Sequence, residues 1–121
     1  TGSPNRKGKG KGKGFNINIH LPCKTEDSEI IDVFENVLVP RANLFKPEFI
    51  LISSGFDSRK NDPLGCFNIS DNGFRELTRI VKKIAKKNCE GRLMSILEGG
   101  YNLEGNAKSA IAHIDELNNF I

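Results

Sequence analysis

The alternation of apolar runs in this chain predicts an α/β fold, a parallel sheet flanked by helices. Three observations carry that prediction. Short apolar runs bounded by turn residues read as strands at Phe15–Ile19, Phe49–Ser53 and Leu93–Leu97. Longer stretches between and after them repeat their apolar residues at helical spacing. The order strand, helix, strand, helix, strand, helix requires crossover connections, which pair strands in parallel and are right-handed. Three strands make a thin sheet, and parallel sheets normally have both faces covered. The segment is therefore expected to be part of something larger.

Each element has its own signals. Phe15–Ile19 ends at Leu21 and Pro22. Thr25 is placed to cap a first helix, with Glu26 and Asp27 at the positive end of its dipole. Ile30, Ile31, Phe34, Val37 and Leu38 form its apolar stripe, and Pro40 is expected to kink or interrupt it. Pro47 precedes the second strand. A second helix starts near Ser70 or Asp71, turning Phe74, Leu77, Val81 and Ile84 inward. Its basic residues, Arg75, Arg79, Lys82, Lys83, Lys86 and Lys87, fall mostly outside that stripe and read as a solvated face. Asn88 and Gly91 end it before the third strand. The last helix spans roughly 106–119, with Ala110, Ile111, Ile114 and Leu117 toward the sheet.

Length and composition narrow the function classes. A chain of 121 residues makes one ordinary domain at most. With 37% hydrophobic and 27% charged residues it reads as a soluble globular protein. No apolar stretch approaches the roughly 20 residues of a membrane-spanning helix, and the basic N-terminus lacks a signal peptide's apolar core. The expected compartment is the cytoplasm, or also the nucleus for a eukaryotic chain. Cys23, Cys66 and Cys89 are odd in number and widely spaced, which predicts reduced, structural thiols. His20 and Cys23 would be half of a zinc site, but no second ligand pair stands at a suitable spacing.

Residues 1–14 are compositionally separate from the body at 15–121. Arg6 to Gly14 alternates basic residues with glycine. Phosphate-binding glycine loops need glycines five positions apart, which this run never provides, and it precedes a strand rather than following one. It lacks the interleaved aromatics of a single-strand nucleic-acid surface. A solvated basic loop is the reading that composition supports, with nucleic acid an unlikely partner.

The chemistry concentrates just past the second and third strands. Ser54-Gly55-Phe56-Asp57 follows one, and Glu98-Gly99-Gly100-Tyr101 follows the other. Side chains beyond the C-terminal ends of parallel strands sit where open α/β sheets build their crevices. One carboxylate and one phenol thus arrive at a common rim. Taken singly, Asp57 serves equally as a turn residue, and Tyr101 as a half-buried packing residue. Asp62 reads as structural, fixing the loop before Pro63.

The stretches Gly12–Ile19, Ser54–Asp57 with Asp62–Gly65, and Leu97–Leu103 occur in this order in one family. The chain resembles the C-terminal part of the histone deacetylase superfamily, nearest its class II and acetylpolyamine amidohydrolase branches. The resemblance covers essentially all 121 residues, and Thr1-Gly2 fits the end of a motif that precedes the glycine-rich loop. It implies an arginase/deacetylase-like parallel sheet, here a partial C-terminal segment, and a catalytic Zn2+ held by Asp, His and Asp. By motif position, Asp57 is similar to the third zinc ligand and Tyr101 to the catalytic tyrosine. Leu64 would line the inner acyl pocket, and Gly99 and Gly100 would let the backbone pass close to substrate. The family's other ligands and its His pair are expected upstream of Thr1, and His20 and His113 do not match them. Ser58, Arg59 and Lys60 replace a common Ala-His-Arg, and Cys66 a frequent Gly, which bears on loop contacts and substrate preference.

What the resemblance implies is part of a zinc-dependent deacetylase acting on acetyl-lysine or acetylpolyamine, partnered by the remainder of the domain. By itself the segment is expected to be inactive. The alternative is a non-catalytic remnant, or a separately encoded half, that works by binding. A basic nucleic-acid module is a third option resting only on residues 6–13.

Overall fold

A computed structural model gives the fold and describes residues 2–119. Strands β1 (Ile50–Ser54) and β2 (Leu93–Leu97) pair in parallel, Ile50 opposite Leu93 through Ser54 opposite Leu97. The connection between them contains helix α3 (Asp71–Cys89), and α4 (Leu103–Asn118) follows β2. Ahead of β1 lie α1 (Asp27–Val33) and α2 (Val39–Phe45), joined by a π-helical stretch over Phe34–Leu38.

The predicted strand at Phe15–Ile19 does not form. A β run becomes a strand only against a ladder partner, and none of the described residues offers it one. Phe15 instead packs edge-on against Phe45, and the Asn18 side chain donates to the carbonyls of Ser3 and Arg6. Thr25 does not cap the first helix either. Glu26 does, its N–H bonded to the Glu29 carboxylate, while Thr25 is buried and donates to the Pro22 carbonyl. Pro40 interrupts the α-helical bonding without breaking the helical run. The preceding π turn, in which the Val39 N–H reaches back to Phe34, leads into α2 with Pro40 in its first turn.

Alternation along the strands shows what covers the sheet. Ile52, Ser54, Leu93 and Ser95 are turned away from solvent, whereas Leu51, Met94 and Ile96 keep 68%, 52% and 51% of their surface. Nothing among the described residues covers that second face. An open apolar groove of about 990 Å³ adjoins it, lined by Phe15, Ile17, Leu38, Phe45 and Leu51 among others. The core on the covered side gathers Phe56, Ile69 and Phe74, the two rings in edge contact at 5.1 Å.

Helix α4 keeps only part of the expected stripe inward: Ala110 packs against the Phe56, Ile69 and Phe74 core and Leu117 is half-buried. Ile111 and Ile114 are exposed, and Gly105, Ser109, Ala112, His113 and Glu116 are buried. A polar face can be buried when its partners are built in, and α3 provides them. Glu116 takes Lys82 at 3.2 Å and Arg79 at 3.3 Å, so part of the basic face of α3 is internal rather than solvated. Cys23 and Cys66, expected as separate thiols, form a disulfide across 43 residues, their Cα atoms 5.0 Å apart. Cys89 is a buried free thiol. Among the described residues, no helix is long and apolar enough to cross a membrane.

His113 links α4 to both strands. Thr78 donates its hydroxyl proton to the Phe74 carbonyl, so its oxygen accepts from His113 Nδ1 at 2.6 Å. Nε2 is then the acceptor for Ser95 Oγ at 2.8 Å. Burial pushes the His113 pKa down. The neutral ring is thus held in the fold, while the unfolded chain takes up a proton below about pH 6.5. With more protons on the unfolded state, stability falls as pH drops through that value toward the lowered native pKa. In the complete protein we expect a slope of up to ~1.4 kcal/mol per pH unit from this ring. Denaturant midpoints between pH 7 and 5 should shift less in His113→Gln, and identical slopes in the two proteins would contradict the assignment.

Candidate functional site

Parallel pairing brings the ends of β1 and β2 to one rim, Ser54 beside Leu97. The ladder continues into both exit loops: the Glu98 N–H donates to Ser54 O at 3.0 Å, and the Phe56 N–H to Gly99 O at 2.8 Å. Asp57 and the Gly99-Gly100-Tyr101 turn are therefore neighbours through backbone bonds rather than through loose loops.

Asp57 is half-buried and its carboxylate lies against Gly99. A Cβ on Gly99 would stand 2.6 Å from Asp57 Oδ2, so a side chain there would push the carboxylate from its place. Gly65 closes on the Asp57 backbone, where a Cβ would meet the carbonyl oxygen at 1.6 Å. The loop carrying Leu64 is thus folded back onto Asp57. Among the described residues, no hydrogen-bond donor engages the Asp57 carboxylate.

Tyr101 and Leu64 present side chains rather than bury them, with 51% and 73% of their surface exposed. Gly100, at φ +136°, makes the turn that leads to Tyr101. Asp62 does more than fix the turn before Pro63. Its Oδ1 accepts the N–H groups of Leu64 and Gly65, each at 2.9 Å, and its Oδ2 accepts those of Tyr101 at 2.8 Å and Asn102 at 3.3 Å. Burial pushes the Asp62 pKa upward, but these four donors outweigh it and hold the carboxyl below its ordinary value.

Arg59, a departure from the family's usual residue in this loop, is buried. Its Nε donates to Ser109 Oγ and its Nη2 to Asp71 Oδ1, both at 3.0 Å, tying the Asp57 loop to α3 and α4. Nothing in the local sequence announces either partner. The same holds for Asn106, whose buried Oδ1 has no hydrogen-bond partner among the described residues and packs beside Gly100.

The metal question turns on donors. Asp57 is one hard oxygen donor at the rim, and no group of three His, Cys, Asp or Glu among the described residues could hold an ion. His20 is engaged with the Gly2 carbonyl at 2.7 Å, and Cys23 is oxidised, so that pair forms no half-site. His113 is bound to hydroxyls within the fold. Asp57 alone could give a metal one ligand, and the described residues place no further ligands beside it.

The histone deacetylase domain family matches residues 1–117. A probable deacetylase of Archaeoglobus fulgidus is 42% identical over 105 residues, 87% of this chain and 29% of that protein. Histone deacetylase 15 of Arabidopsis thaliana is 40% identical over 91 residues, 75% of this chain and 16% of that protein. The crystal structure of the HDA15 HD domain superposes with a TM-score of 0.89 at 36% identity, over 97% of this chain and 32% of that one. The chain thus spans less than a third of the length of each of these relatives. The two-stranded parallel sheet of the described residues, with its flanking helices, is a partial segment of the deacetylase fold. By its match across residues 1–117, this chain belongs to the histone deacetylase family.

Proposed function

We propose that this chain supplies one wall of a zinc-dependent deacetylase site that hydrolyses N-acetyl amides of acetyl-lysine or acetylpolyamine. The observation that carries the reading is the shared rim. Two hydrogen-bonded exit loops present Asp57 and the Tyr101 turn at the same ends of parallel strands, in a chain of this family.

Each residue has a task in that reading. Asp57 is the metal ligand from this chain, with the remaining ligands supplied by the rest of the domain. Bound there, Zn2+ would contribute Lewis acidity. The Tyr101 hydroxyl donates to the acetyl oxygen as negative charge develops on it, the point at which a fixed donor lowers a barrier most. Leu64 offers apolar surface to the acetyl group. Gly99 and Gly100 keep side chains out of the path of the substrate. The uncovered sheet face and the exposed Ile111 and Ile114 are where the remainder of the domain packs. Action in the cytoplasm, or in the nucleus of a eukaryotic cell, belongs to the same proposal.

The test compares the complete domain with residues 1–121 alone. The complete protein should release acetate from an acetyl-lysine peptide or an acetylated polyamine, and a chelator should abolish it. The isolated segment, with one ligand, should bind zinc weakly and release none. Chelator-resistant turnover by the complete protein, or turnover by the segment, would overturn the reading. A complete protein that releases no acetate while binding an acetylated substrate would support the non-catalytic alternative.

A further inference from the structure

Asp62 makes a connection that its turn does not require. Fixing the 62–65 turn takes one side-chain oxygen on the N–H groups two and three residues ahead, and Oδ1 alone does this. Oδ2 reaches 39 and 40 residues along the chain, to the N–H groups of Tyr101 and Asn102. Tyr101 itself stands outside regular structure, after the end of β2 at Leu97 and before the start of α4 at Leu103. Its ring is half exposed and does not lock it by packing. The turn on the other side of Asp62 is closed against the Asp57 backbone through Gly65. One buried carboxylate therefore spans from the loop of the candidate ligand to the loop of the candidate proton donor.

We propose that Asp62 is a positioning residue, a two-ended clip that sets the Tyr101 hydroxyl relative to Leu64 and Asp57. The proposal rests on the reading of Tyr101 given above. Its physical basis is that a carboxylate has acceptors at both ends and no donor. Backbone N–H groups bonded to a charged acceptor are held more firmly than those bonded to a neutral one. A carboxamide of the same shape has only one acceptor end. Asp62→Asn can keep the Leu64–Gly65 turn, a role that asparagine fills well, but it then turns an NH2 group toward the N–H groups of Tyr101 and Asn102. The substitution releases one end of the clip and spares the other.

The experiment uses the complete protein with an acetyl-lysine peptide. Displacing a catalytic group by about an ångström costs on the order of 100-fold in rate, so kcat of Asp62→Asn should fall ~10- to 100-fold with KM little changed. Hydrogen exchange should quicken in a peptide spanning residues 99–104 and stay unchanged in one spanning 62–66. Because Asp62 acts through Tyr101, the double variant with Tyr101→Phe should be no slower than Tyr101→Phe alone. Multiplying losses in the double variant, or unchanged exchange at 99–104, would overturn the proposal. If Tyr101→Phe by itself kept normal turnover, the reading of Tyr101 would fail, while the exchange data would still decide whether Asp62 holds the Tyr101 backbone.

Discussion

The Asp57→Ala protein, made in the complete domain, is expected to purify with little metal and to release no acetate above background. Three protein ligands hold a catalytic zinc, and deleting one leaves a site whose affinity falls with each lost donor. The expectation is sharper than for an ordinary surface carboxylate because of what surrounds Asp57. Its side chain lies over Gly99, with no donor among the described residues bonded to it. Removing it breaks no hydrogen bond among the described residues, so thermal unfolding of the metal-free protein should change little. Metal content, turnover and unfolding measured on one preparation test these points together. Loss of activity with metal content intact would move Asp57 from ligand to substrate contact. Normal activity would remove it from the site.

How much of this was legible in the chain depended on the range of the forces involved. The apolar runs match β2 to the residue and β1 to within one residue at each end, because a β-rich run bounded by Pro or Gly is a local signal. The start of α3 near Ser70 or Asp71 is likewise a local signal, and the structure shows the Ser70 hydroxyl capping it by taking the Gly73 N–H. The failures share a non-local cause. Phe15–Ile19 carries strand propensity, yet a strand is a pairing, and the pairing partner is not among the described residues. The stripe of α4 was identified by spacing, but spacing does not say which face is covered. Thr78, Arg79 and Lys82 of α3 satisfy His113 and Glu116, and so the polar face goes inward. The Cys23–Cys66 bond depends on two loops meeting at 5.0 Å, which parity and spacing cannot reveal. At the rim the same division holds. Asp57 and Tyr101 were marked by position after strands and by motif, whereas the reach of Asp62 to Tyr101 is a contact across 39 residues.

Tyr101→Phe should leave the metal and the fold in place and remove most of the turnover. The substitution keeps the ring and deletes only the hydroxyl. That hydroxyl makes no hydrogen bond to any described residue, and the side chain is half exposed, so neither core packing nor a buried polar pair is lost. The backbone bonds from Tyr101 and Asn102 to Asp62 do not involve the ring and should persist. What disappears is a donor to the acetyl oxygen as the amide carbon becomes tetrahedral. Loss of one such donor costs on the order of 100- to 1,000-fold in kcat, about 3 to 4 kcal/mol of barrier. Because the donor acts mainly on developing charge, KM should move far less than kcat. The contrast with Asp57→Ala is the diagnostic: one variant loses metal and rate together, the other loses rate alone. Metal analysis beside steady-state kinetics on both variants distinguishes the roles. Near-normal turnover in Tyr101→Phe would make Tyr101 a surface packing residue, and the donor in this reaction would then have to come from outside the Gly99-Gly100-Tyr101 turn.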